Sequence, residues 1–172
     1  VNLEEYTLIA VSTRNPALLT YGQKMSMMAL GLVCEATEIY SSEESLLGEL
    51  GDVLWYLVNI TDIVGILPTA YQLEPAPWRA TYTGESALLE LCSACGKVGD
   101  AVKKELGHGH DFMLGDFFAL LQRALAKILM VADYHDLSLE DLMVYNAQKL
   151  AAEGGRYHGG FTTEKSVNRE HT

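Results

Sequence analysis

Two pairs of acids stand in the most apolar parts of this chain, and they restrict its fold more than any other feature. Glu35-x-x-Glu38 lies inside Ala29–Ile39, which is otherwise apolar or small, and Glu49-x-x-Asp52 directly precedes Val53-Leu54-Trp55-Tyr56-Leu57-Val58. Residues three apart share one helix face, so each pair presents its carboxylates side by side. A short turn between the two helices sets them antiparallel and lets the pairs converge. Most Glu-x-x-Glu pairs are a solvated helix face, but these acids keep apolar company. Four converging carboxylates without a basic partner repel one another. A hard divalent cation that prefers oxygen, Mg²⁺ above all, resolves that repulsion.

The surrounding pattern is helical, and strand alternation is hard to find. A short helix near Leu3–Thr13 ends at Asn15-Pro16. A second spans about Leu18–Tyr40, with apolar positions at Met25, Met28, Leu32, Cys34 and Ile39. Ser41-Ser42-Glu43-Glu44 reads as a turn that caps a third helix, about Glu44–Ile66. Three of the four prolines (Pro68, Pro75, Pro77) fall in a linker over 67–84. Helices follow over Glu85–Leu106 and about Phe112–His135, separated by Gly107-His108-Gly109-His110, and Ser138 caps a last one reaching about Glu153. The expectation is a single all-α domain, a helical bundle over 1–172 with a glycine-rich polar tail over 154–172. Leu50-Gly51-Asp52 recurs as Leu114-Gly115-Asp116, and Cys34–Ile39 aligns with Ser93–Val98, which points to internal repeats at about 18–66 and 85–153.

The formal charge of −11 argues against nucleic acid as a partner. Residues 1–86 hold only Arg14, Lys24 and Arg79 against eleven acids, whereas residues 87–172 hold nine bases against twelve. A polyanion handled by this chain therefore needs cations at the first half and side chains from the second. The longest apolar run, Val53–Leu67, is too short to span a bilayer and is broken by Asn59, Thr61 and Asp62. Val1 opens the chain without the features of a signal peptide, so a cytoplasmic location away from membranes is expected. Cys34, Cys92 and Cys95 lack a second Cys-x-x-Cys or a matching His pair and read as buried thiols.

Ferritin-like di-iron bundles also use carboxylates on facing helices, but they need Glu-x-x-His, and no His follows any of these acids by three. That leaves Mg²⁺, or Mn²⁺ as a substitute, with a phosphate substrate. The stretch Ala29–Glu38 followed by Glu49–Leu57 resembles the two-helix metal signature of MazG-like pyrophosphohydrolases. Val102-Lys103-Lys104-Glu105-Leu106-Gly107-His108-Gly109-His110 resembles that family's Lys-Lys segment and its Gly-His loop. Ser138–Leu142, Asn146-Ala147-Gln148-Lys149-Leu150 and Arg156–Phe161 resemble its last helix and tail. The resemblance implies an all-α fold and Mg²⁺-dependent hydrolysis of a nucleoside triphosphate to monophosphate and pyrophosphate. Glu35, Glu38, Glu49 and Asp52 would be the catalytic and metal-binding set, and Lys103, Asn146, Lys149, Arg156 and Tyr56 would bind substrate.

The chain departs from the pattern by dividing it. The first half has the four acids but not the basic segments. The second has the basic segments, but Ala94, Lys97 and Met113 replace acids and only Asp116 remains. It reads as two fused repeats that pool one site, with a homodimer of fused chains as the expected assembly. The competing reading is a non-catalytic helical module, decayed from such an enzyme, that binds nucleotides or a partner protein.

Overall fold

Side-chain caps decide where most helices of this chain begin. Asn2 accepts from the Glu5 backbone N–H, and the Glu5 carboxylate accepts from the Asn2 N–H, which starts α1 (Leu3–Ser12). Thr20 and Gln23 form the same box ahead of α2 (Tyr21–Glu38), and Ser45 caps α3 (Leu46–Ile63). Thr83 with Ser86 opens α4 (Gly84–His108), α5 spans Leu114–Tyr134 without a side-chain cap, and Ser138 with Asp141 opens α6 (Leu139–Ala151). A cap of this kind contributes about 1 kcal/mol. The computed structural model describes residues 1–41, 44–66, 83–111 and 113–152, and these are all-α, with no strand among the described residues.

The six expected helices are present, with corrected starts. α2 begins at Tyr21 rather than Leu18, because Thr20 takes the cap position, and α3 begins after Ser45, not at Glu44. At the end of α4, Gly109 adopts a left-handed φ of 68°, and the backbone N–H groups of Gly109 and His110 donate to Glu105 and Lys104. The Gly-His segment is thus a helix stop. Most of the linker (67–82), Ser42, Glu43, Phe112 and the tail from Glu153, with Arg156, lie outside the described residues.

Within this set of helices α3 is central. It is apolar on nearly every side, buries twelve of its eighteen residues, and packs against α1, α2, α5 and α6. A helix that is apolar all round has to be enclosed in this way. α2 runs antiparallel to it, with the Tyr56 ring lying directly on Gly31, where a Cβ would collide with it. α4 and α5 form the second antiparallel pair, joined by Glu90–Lys127 and by Tyr134 against Gly84. The pairs meet where α2 crosses α4, with Val33 on Gly99 and the Cys92 thiol donating to the Ala36 carbonyl. Of the three thiols expected to be buried, Cys95 is buried and Cys92 half-buried, but Cys34 is exposed. Cys34 lies on the exposed side of α2, which helical spacing alone does not reveal.

The two hairpins bury matching positions: Leu32 and Ala36 on α2 with Leu91 and Cys95 on α4, and Val53, Leu57 and Ile60 on α3 with Phe117, Leu121 and Ala124 on α5. Their surroundings differ at the shared Leu-Gly-Asp. α6 packs on α3, and a Cβ at Gly51 would stand 3.0 Å from the Asn146 Cβ, whereas among the described residues nothing comes within 4 Å of a Cβ at Gly115. The glycine of the first hairpin therefore seats α6.

This contrast predicts opposite outcomes for two alanine substitutions. Gly96, inside α4 with open space around it, should gain roughly 0.5–1 kcal/mol on replacement by alanine, from helix propensity alone. Gly51→Ala should lose stability, because Asn146 Cβ sits on its own backbone and cannot swing aside. Denaturant unfolding of both variants measures this, and equal gains would mean that α6 is not seated on Gly51.

Candidate metal centre

Glu35 and Glu38 stand in the last turn of α2, and Glu49 stands in the first turn of α3. The antiparallel crossing brings one carboxylate oxygen from each within 4.8 Å of the others. Glu49 is buried, at 4% exposure, Glu35 is half-buried and Glu38 is exposed. The positive end of the α3 dipole favours Glu49, but Glu35 and Glu38 sit at the negative end of α2, which has no basic residue in its last turn. Among the described residues no ion pair answers Glu35, Glu38 or Glu49. The consequence is seen at Glu35, whose pKa is pushed up to about 7 by burial first and then by Asp52, Glu38 and Glu49, with Lys149 pulling the other way.

An all-oxygen, anionic donor set of this kind suits a hard cation. Oxygens on opposite sides of a Mg²⁺ ion stand about 4.2 Å apart, so a set spread over at most 4.8 Å closes round one ion with small side-chain rotations. Glu35, Glu38 and Glu49 are the residues that would hold it.

Asp52, one turn further along α3, is engaged by α6 instead. Lys149 Nζ donates to Asp52 Oδ2 at 2.7 Å and to Glu44 Oε1 at 2.7 Å, and Asn146 Nδ2 donates to Asp52 Oδ1 at 2.8 Å. Asn146 is fully buried, and its Oδ1 accepts from the hydroxyl of the equally buried Tyr6 on α1 at 2.7 Å. Burial and the Asp52 charge raise the Tyr6 pKa well above the phenolic value. Burial opposes the charge on Lys149, but its bonds and attraction to Asp52 and Glu44 outweigh this and raise its pKa. The structure thus joins Lys149 and Asn146 from the second half to Asp52 from the first. It also adds Glu44 and Tyr6, which sequence reading missed. Glu44 reads as an ordinary first-turn acid, and nothing in the sequence ties Tyr6 to a position 140 residues away.

Of the other expected site residues among those described, Tyr56 packs against α2, and Lys103 stands on α4, not on the helices that carry the acids. Tyr56 is half-buried on Gly31 and meets Trp55 edge to face, with ring centroids 4.8 Å apart. Lys103 is exposed and, with Lys104, pairs with Asp100, whose carboxyl they hold down at about 2. Exposed pairs of this sort contribute little. Lys103 borders a groove of about 680 Å³ between α2 and α4, lined on α2 by Ala29, Leu30 and Val33. Val33 and Glu38 are about 140° apart around α2, so the groove and the acids occupy different faces. His108 and His110 are exposed at the helix stop, and Asp116 is exposed at the open end of α5. Compared with known proteins, the chain matches no family model, no curated protein and no solved structure.

The raised Glu35 pKa sets a direction for stability against pH. Folding lifts this carboxyl from an ordinary 4.5 to about 7, so its protonated form favours the folded chain. That contribution is fully present below about pH 4.5 and is lost as pH rises through about 7. In chelator, Glu35→Gln should melt higher than the parent at pH 8 and approach it near pH 5. Parallel melting curves from pH 5 to 8 would show that Glu35 is not under this strain.

Proposed function

We propose that the chain hydrolyses a nucleoside or deoxynucleoside triphosphate to the monophosphate and pyrophosphate in a Mg²⁺-dependent reaction, as a MazG-like enzyme does. The observation that carries this reading is the meeting of Glu35, Glu38 and Glu49 from two antiparallel helices, with Lys149 bound to the adjacent Asp52. Carboxylate oxygens call for a hard cation, and a lysine beside them suits a phosphate chain. Held by Glu35, Glu38 and Glu49, Mg²⁺ (or Mn²⁺) would neutralise phosphate charge and activate water.

The chain's own groups do the remaining work. A water oxygen adds to the α-phosphorus, the bond to the α–β bridging oxygen breaks, pyrophosphate leaves, and a carboxylate of the set accepts the water's proton. Lys149 offers its ammonium to the phosphates, and Arg156 joins it on the strength of the tail motif. Asn146, enclosed between Tyr6 and Asp52, supports the site from behind. The same reading makes the chain two fused repeats sharing one site. It is supported by the matching buried positions of the two hairpins and by the reach of Lys149 from the second half to Asp52 in the first.

Phosphorus NMR of a nucleoside triphosphate incubated with the protein and Mg²⁺ should show pyrophosphate and monophosphate as first products, and nothing in chelator. A nucleoside diphosphate appearing first would sink this reaction class. Nucleotide and metal binding without any turnover would favour the non-catalytic module instead. Glu35→Gln, Glu38→Gln and Glu49→Gln should each lose about 100-fold or more in rate, and Lys149→Ala about ten- to thousand-fold in kcat/KM. Asp116→Asn should stay near the parent rate, since Asp116 lies exposed at the other hairpin.

A further inference from the structure

Asp52 is the one acid of the four whose orientation is fixed by two neighbours at once. Asn146 Nδ2 holds Oδ1 at 2.8 Å and Lys149 Nζ holds Oδ2 at 2.7 Å. Behind Asn146 stands Tyr6, which donates to Asn146 Oδ1 at 2.7 Å and lies 3.5 Å from the Gly51 carbonyl oxygen. Tyr6 and Asn146 are both 0% exposed, so bulk water does not compete for this bond.

The direction of every bond in this chain follows from Asp52. An ionised carboxylate only accepts, so Asn146 must turn its amino group toward Asp52 and its carbonyl away. The Tyr6 hydroxyl then has to donate to that carbonyl. Without the hydroxyl, the Asn146 carbonyl is buried with no donor, and a flip to find one would turn it against the carboxylate. Gly51 allows this contact, because its missing side chain lets Asn146 reach the face of α3 that carries Asp52.

We propose that Tyr6 and Asn146 are positioning residues for Asp52, a hydrogen-bonded relay from α1 through α6 that sets which way the Asp52 carboxylate faces the acid cluster. This makes α1 part of the site, although none of its residues reaches the cluster. The inference rests on the metal reading of Glu35, Glu38 and Glu49 for its effect on cation binding, but the relay itself is testable without metal.

Tyr6→Phe removes only the hydroxyl and keeps the ring that fills the core. Two measurements on the full chain decide the matter. In chelator, the melting temperatures of the parent, Tyr6→Phe, Asp52→Ala and the double variant should be non-additive, with the Tyr6→Phe loss at least halved once Asp52 is gone. Additive losses would overturn the relay whether or not the protein binds a cation. In Mn²⁺ titrations followed by electron paramagnetic resonance, Tyr6→Phe should weaken affinity by about 5- to 30-fold, and the effect should vanish in the Asp52→Ala background. Phe117→Leu, a core change on α5, a helix that supplies no residue of the relay, should leave Mn²⁺ affinity unchanged. Equal Mn²⁺ affinity for the parent and Tyr6→Phe would overturn the relay, as would an equal loss in Phe117→Leu. No Mn²⁺ binding by the parent would instead remove the metal reading, leaving the melting cycle to decide the relay.

Discussion

Negative charge gathered where two apolar helices cross is the constraint that the rest of this structure answers. Glu49 is buried and Glu35 half-buried among apolar neighbours, and burial combined with the other acids lifts the Glu35 carboxyl toward neutrality. Two devices relieve that strain inside the chain. The α3 dipole favours Glu49 in its first turn, and Lys149 brings a positive charge to Asp52 and Glu44. Neither gives the three-glutamate cluster an ion pair among the described residues, and its donor set suits a hard cation.

Close approach of backbones makes this arrangement reachable. Gly31 admits the Tyr56 ring between α2 and α3, and Gly51 admits Asn146 between α3 and α6. The first contact brings the ends of α2 and α3 close enough for Glu35, Glu38 and Glu49 to meet. The second lets α6 come close enough for Asn146 and Lys149 to bond Asp52. The second hairpin, with the same Leu-Gly-Asp, keeps only Asp116 of the acids and, among the described residues, has no helix seated on its glycine, so the two halves diverge in chemistry while sharing a burial pattern.

Much of the fold was legible because its determinants are local. Periodicity located all six helices, Ser138 announced its own cap, and the Gly-His segment marked a helix stop. The helix starts at Tyr21 and Leu46 were misplaced by two or three residues, because Thr20 and Ser45 compete with neighbouring polar residues for the cap. Cys34 was misread because a helix of mixed character does not declare which of its sides meets a neighbour. The sequence offers Asn146 as a substrate contact, and in the fold its amide is enclosed between Tyr6 and Asp52.

By itself the sequence determined the all-α class, the helix order, and the placing of two acid pairs on facing helices, because spacing along a helix fixes which side chains share a face. Tertiary packing alone decided which of those acids come together and which are claimed by other residues. Glu35, Glu38 and Glu49 converge, while Asp52 is taken up by Lys149 and Asn146, with Tyr6 behind them. The physical reason is distance along the chain. A bond from α1 to α6, or from α3 to α6, exists only once α3 has been enclosed, and no local pattern of residues encodes it.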